Sequence, residues 1–250
     1  MSDLNGFVER YVAVWNEPDS ERRRERIAAL WTLNGASLHR VLEPRGHAAI
    51  EARVAASYDK WVHGRGCTFR SAHHAFGHHD AVMCNWEMVS PEGKVISLGL
   101  SFLILDPSGL VHTELQFPEP PPAPLPEHEA LVEQLVAMWN EPDPQARRVR
   151  IAALWQADGA HVNSERTCVG HAAIEAEATR VYAMCGAHGQ RFRCPGRVDG
   201  HHGAVRMDWE LLADDGVSVL AAGTNLLLLG AGGRVQRDLQ FDTPAKRLAS

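Results

Sequence analysis

The chain states its sequence twice. Residues 8–52 lie over residues 132–176 at a constant offset of 124, without a gap, and 26 of the 45 positions are identical. Trp15-Asn16-Glu17-Pro18-Asp19 returns as Trp139-Asn140-Glu141-Pro142-Asp143, and Arg26-Ile27-Ala28-Ala29-Leu30-Trp31 returns as Arg150-Ile151-Ala152-Ala153-Leu154-Trp155. The correspondence continues through Gly46-His47 and Gly170-His171, His78-His79 and His201-His202, and Leu115-Gln116-Phe117 and Leu239-Gln240-Phe241. A period as long as a whole small domain excludes a solenoid and predicts two sister domains in tandem. The expected division is 1–117, a linker at 118–126, and 127–250. That linker holds six prolines in nine residues, which predicts a stiff extended spacer of about 28 Å.

Within each copy the hydrophobic period changes once. Leu4, Phe7, Val8, Tyr11, Val12 and Trp15 recur at helical spacing. Asp19 is placed to cap a second helix ending near Trp31, and Pro144 after Asp143 takes the favoured first helical position. Leu33-Asn34-Gly35 turns the chain into a short strand over about 36–42, and a third helix spans about 47–61. Residues 67–75, 81–89, 95–105 and 110–117 then alternate as strands between Gly- and Pro-bearing turns. Three helices with a strand between the second and third, followed by a meander, predict an α+β domain with a curved antiparallel sheet against the helices.

Composition narrows the function. At 45% hydrophobic and 22% charged the chain is of ordinary globular make-up, and its net charge of −6 argues against a nucleic-acid partner. The Arg22-Arg23-Arg24 run, flanked by Glu21 and Glu25, is expected to be a solvated helix face. No apolar run reaches the length of a membrane span, so a cytoplasmic protein without a membrane partner is expected. Five cysteines, unmatched between the copies and without a CxxC pair, predict free thiols rather than disulfides or structural zinc.

The combined pattern resembles a known family. The Trp15-Asn16…Asp19 helix break, the Gly46-His47 helix start, the hairpin running from His201-His202 through Arg206 to Trp209-Glu210-Leu211, and Asp106…Gly109…Val111 before the last strand are similar to the SnoaL-like branch of the nuclear transport factor 2-like superfamily. Ketosteroid isomerases, polyketide cyclases and limonene epoxide hydrolases share that fold. The resemblance implies a cone-shaped α+β barrel around an apolar pocket, and an intramolecular pseudo-dimer that could pair again. It also implies where chemistry would lie. The first-helix tyrosine matches Tyr11, where the second copy has Leu135; the first-strand base position falls at His39 and Asn163. The fourth-strand acid falls at Ser101 and Asn225, and the last-strand acid at Gln116 and Gln240, so every matched carboxylate is absent.

Strand alternation places Ser37 with His39, and His112, Glu114 and Gln116, on shared faces. The corresponding rows of the second copy are His161 with Asn163, and Gln236, Asp238 and Gln240. Three readings stay open. In the first, an isomerase, cyclase or dehydratase works without a cofactor on an apolar polyketide- or terpenoid-like molecule in the first pocket. His39 or Glu114 is its base, Tyr11 its oxyanion donor, and Ser37, Ser101, His112 and Gln116 bind substrate, with the second copy degenerate. In the second, both pockets bind an apolar molecule without chemistry, using amides such as Asn163, Asn225 and Gln240. The third gathers His39, His112 and Glu114 around a metal ion. His78-His79 and His201-His202 are expected to serve the hairpin turns, His47 and His171 to cap the helices they begin, His73-His74 to be an exposed pair or to line the pocket mouth, and the tryptophans to fill the core.

Overall fold

A computed structural model describes residues 3–243, and the side chains of His73 and His74 also lie outside the described residues. The chain divides into two compact units between Pro120 and Pro121. The first contains α1 (Leu4–Val14), α2 (Ser20–Leu30), β1 (Trp31–His39), α3 (His47–Ser57) and a π-helical turn (Tyr58–His63). A meander follows: β2 (Thr68–His78), β3 (Ala81–Val89), β4 (Val95–Leu105) and β5 (Val111–Glu119). The sheet order is β1-β5-β4-β3-β2, antiparallel except where β1 runs parallel to β5. This is the α+β layout expected, with α1 and α3 supplying Phe7, Val8, Tyr11, Val12, Ile50 and Val54 to a core against the sheet.

The second unit repeats the plan with α4 (Pro126–Trp139), α5 (Pro144–Leu154), β6 (Trp155–Val162), β7 (Thr167–Val169) and α6 (His171–Met184). Short strands β8 (Arg191–Arg193) and β9 (Val198–His201) precede β10 (Ala204–Leu212), β11 (Val219–Leu229) and β12 (Val235–Thr243). Where the first unit has one long strand, β2, the second has β8 and β9, both paired to β10 but separated by Cys194–Arg197. Pro195 in that gap has no N–H to give a ladder, which favours the break.

The repeated motif turns out to be scaffolding. Asn16 clamps β2 at both backbone atoms of Phe69, accepting from its N–H at 2.8 Å and donating to its carbonyl at 2.6 Å. Asn140 does the same to Phe192, at 2.9 and 2.8 Å. Asp19 accepts from the N–H groups of Glu21 and Arg22, and Asp143 from those of Gln145 and Ala146, so both second helices are capped as expected. Arg23 departs from the solvated-face reading. Arg22 and Arg24 are exposed, but Arg23 is buried, donating to the Glu17 carbonyl at 2.8 Å and pairing with Glu51 at 3.2 Å. His47 and His171 hold the Trp31 and Trp155 carbonyls at 2.9 and 3.2 Å, tying each third helix to the start of its first strand rather than capping the helix.

The boundaries shift where local chemistry overrides the period. β1 begins at Trp31, before the Leu33-Asn34-Gly35 turn, because the turn is a bulge inside the strand. A side chain at Gly35 would stand 3.0 Å from two backbone carbonyl oxygens, so any other residue would have to push the backbone aside. β5 runs on to Glu119 and α4 starts at Pro126, which shortens the irregular part of the proline segment.

Two candidate sites, one in each unit

The same pleat of each unit carries a buried polar cluster, and the two clusters differ in nearly every side chain. A bulge sets the geometry. On β4, Ile104 pairs with Thr113 and Leu105 with Val111, so β5 uses two residues where β4 uses one. Alternation therefore breaks at His112, whose side chain is exposed and contacts Thr113 Oγ1 at 2.9 Å. The expectation that His112 shares a face with Glu114 and Gln116 is corrected. With it falls the metal reading, since His112 points away while Glu114 is wholly buried. Among the described residues no group of three His, Cys, Asp or Glu side chains is placed to hold a metal ion.

In the first unit Glu114 sits at the centre. Its Oε1 accepts from the Tyr11 hydroxyl and from Gln116 Nε2 at 2.5 Å, and its Oε2 from Ser37 at 2.5 Å. Because the Tyr11 proton goes to Glu114, Ser101 donates to the Tyr11 oxygen at 3.0 Å, and Ser101 itself accepts from Trp86 Nε1 at 3.2 Å. Gln116 Nε2 also donates to Tyr11 at 2.9 Å. Arg53 closes the cluster by donating to Ser37 Oγ and Gln116 Oε1. Burial first, then the Glu114 charge, hold the Tyr11 phenol well above its ordinary value. Burial and the same carboxylate push the Cys84 thiol up as well.

Above this cluster opens a cavity of about 740 Å³. Trp15, Trp61, Phe69, Trp86, Met88 and Phe117 make its walls largely apolar. Trp61, the one tryptophan without a partner in the other copy, reaches it from the π-helical turn. Of the expected site residues, Tyr11, His39 and Gln116 line the cavity, whereas Ser37, Ser101 and Glu114 lie beneath its floor. Two expected roles do not fit this placement. Glu114 is sealed off with both oxygens occupied, so it is not placed to act directly as a base. Tyr11 gives its only proton to Glu114, so it is not placed as an oxyanion donor.

Arg53 was not foreseen in the sequence, where it stands inside a helix one residue before the core residue Val54. Its guanidinium lies 5.0 Å from the Trp15 ring centre and lines the cavity. Two of its five N–H donors go to Ser37 and Gln116, and three remain. The only signal available was the inversion between copies, arginine at 53 and glutamate at 177.

In the second unit Asp238 stands in the place of Glu114, and His161 in that of Ser37. Asp238 Oδ2 accepts from His161 Nδ1 at 2.8 Å and Oδ1 from Asn225 Nδ2 at 2.6 Å, and both Asp238 and His161 are buried. A cavity of about 250 Å³ is lined by His161, Trp139, Asn225 and Trp209. Glu177 and Arg180 also line it, joined at 2.6 Å; the hydrogen bond from Arg180 holds the Glu177 carboxyl below its ordinary value. Asn163 reaches the lining, but its Oδ1 caps the following turn at the N–H groups of Glu165 and Arg166. Gln240 lines the cavity and donates to Asp242 at 2.9 Å. His79 and His202 occupy left-handed turn positions at φ 51°, as hairpin residues.

No family model matches the chain, and no curated protein matches it. Solved structures do. A candidate isomerase of the SnoaL-like family from Agrobacterium tumefaciens C58 is 26% identical, covers 48% of this chain and 99% of its own, with a TM-score of 0.44. A candidate polyketide cyclase from Sinorhizobium meliloti is 11% identical, covering 46% of this chain and 96% of its own at a TM-score of 0.36. A protein of ketosteroid isomerase-like fold from Catenulispora acidiphila, solved with trimethylamine, is 18% identical and covers 44% and 83% at 0.36. The chain is thus similar, about half of it at a time, to SnoaL-like and ketosteroid isomerase-like proteins.

Proposed function

We propose that the first unit is a cofactor-independent enzyme of isomerase, cyclase or lyase type, acting on an apolar molecule that carries one oxygen able to bear negative charge. The observation that supports this is Arg53: a cation with three remaining donors on the floor of a roomy aromatic-walled cavity. An oxygen beside it is stabilised as charge grows there, against walls that are largely apolar. Ser37 and Gln116, themselves held by Glu114 and Tyr11, keep the guanidinium in place. His39, on the cavity wall at the register of Gln116, is the group that exchanges the proton, since imidazole titrates near neutrality.

A second reading, binding without turnover, is favoured by the closure of the Glu114 cluster, which turns Tyr11 and Glu114 inward. One experiment separates the two. The protein purified without added ligand is examined by native mass spectrometry, and the molecule it carries is supplied as substrate. The enzyme reading expects product in excess of protein, lost at least a hundredfold in His39→Ala with binding retained, and binding weakened about tenfold in Arg53→Met. Binding with no product beyond one equivalent leaves the second reading. A carried molecule that binds Arg53→Met as well as the parent defeats the role given to Arg53.

A further inference from the structure

The second unit reads by descent as a worn copy of the first, yet its buried groups are arranged for proton transfer. A carboxylate only accepts, so the two donors on Asp238 fix two assignments. His161 must carry its proton on Nδ1, and the Asn225 amide must turn its nitrogen to Asp238. In its neutral form the imidazole offers Nε2 as its acceptor, in a ring that lines the cavity and packs 5.0 Å from Trp139. An imidazole oriented by a buried carboxylate is the arrangement of a general base, because the partner both fixes the tautomer and faces the imidazolium once it forms.

An independent feature of the same cavity points to a ligand. Trp209 Nε1 and Asn225 Oδ1 are buried and have no hydrogen-bond partner among the described residues. Both residues line the cavity, at 8% and 4% exposure. In the first unit the corresponding indole is satisfied by Ser101. One donor and one acceptor left open together match a hydroxyl-type oxygen, which accepts from the first and donates to the second. The volume of about 250 Å³ suits a single ring or a short chain, since a cavity of roughly 150 Å³ takes benzene. An uncharged molecule suits it too, because Glu177 already has Arg180 and Asp238 has His161.

We propose that the second unit is a separate proton-transfer site, in which His161 Nε2 takes a proton from a small uncharged substrate whose oxygen is held by Trp209 and Asn225. In that step a bond to hydrogen on the substrate breaks and the proton goes to Nε2. The electron pair stays on the substrate, spread over its unsaturated part, while the hydroxyl keeps its own proton toward Asn225 Oδ1 and accepts from the Trp209 N–H. The proton returns from Nε2 to the substrate, so nothing is oxidised or reduced. Asp238 is a positioning residue here, and His161 the catalytic one.

The test uses the full chain and 5-nitrobenzisoxazole, a small uncharged probe that opens when a base removes its ring C–H proton. The C–H pair forms the nitrile, the N–O bond breaks, and the phenolate oxygen takes the charge. Expected are opening faster than by free imidazole at equal concentration, at least a fiftyfold loss in His161→Ala, and competition by cyclohexanol at least tenfold stronger than by methylcyclohexane. Nitrogen-15 spectra of the parent should place the His161 proton on Nδ1, and Asp238→Asn should move it and slow the probe at least tenfold. If His161→Ala does not fold, the parent's tautomer and the competition pair decide. Opening no faster than imidazole, an unchanged rate in a folded His161→Ala, or a parent proton on Nε2 each overturns the proposal.

Discussion

Glu114 has no exposed surface and no cation at ion-pair distance among the described residues, so its charge is carried by hydrogen bonds alone. Removing one such donor leaves a buried charged oxygen short of a partner, at a cost of about 1–3 kcal/mol. Tyr11→Phe is therefore expected to lower the stability of the first unit by that amount, read from the urea midpoint of its transition. The same residue sets an alkaline signature. Its folded value is raised, so the phenol's contribution to stability is complete below pH ~10 and is lost as pH rises from there through the folded value. The parent should lose stability more steeply than Tyr11→Phe above pH ~10. Parallel curves would mean that the Tyr11 phenol is not held in its neutral form by the fold.

The elements were largely legible because their signals are local. Helical spacing in α1, the Asp19 and Asp143 caps and the turn chemistry between β3, β4 and β5 are each decided within a few residues. What could not be read was set by pairing between strands. The bulge at Val111–Thr113 exists only as a mismatch with β4, and period-two counting across it carried His112 to the wrong face. Arg53 was hidden for a related reason, since a charged residue within a helix ordinarily reads as surface and its partners lie 16 and 63 positions away. The element-scale expectation follows. His112→Ala, at an exposed position, should change stability by no more than about 0.5 kcal/mol. Deleting His112 removes the extra residue while Leu105 still faces Val111 and Ile104 still faces Thr113, so Glu114 and Gln116 should keep their faces and the first unit its cooperative transition. Loss of that transition in the deletion would mean that the bulge itself is needed to seat the strand.

Across the whole molecule, identity and function part company. Positions kept in both copies, Asn16 and Asn140, Asp19 and Asp143, Arg23 and Arg147, build the frame. Positions that differ, Tyr11 and Leu135, Ser37 and His161, Arg53 and Glu177, Ser101 and Asn225, surround the cavities. Duplication leaves a fold's packing requirements intact in each copy while freeing the polar floor to change, so any difference in what the two cavities take up lies in these inner positions. The two cavities, about 740 and 250 Å³, one with a cation beside aromatic walls and one with its charges paired, should then select different molecules. An anionic aromatic dye such as anilinonaphthalene sulfonate fits only the first by both size and charge. Fluorescence titration of the native chain is expected to saturate at one equivalent, and Arg53→Met to weaken that binding about tenfold, roughly 1.4 kcal/mol. Saturation at two equivalents would show that the second cavity admits the dye, which its size and paired charges oppose. An unchanged affinity in Arg53→Met would leave the apolar walls as the whole source of binding and remove the basis for an anionic oxygen in the substrate.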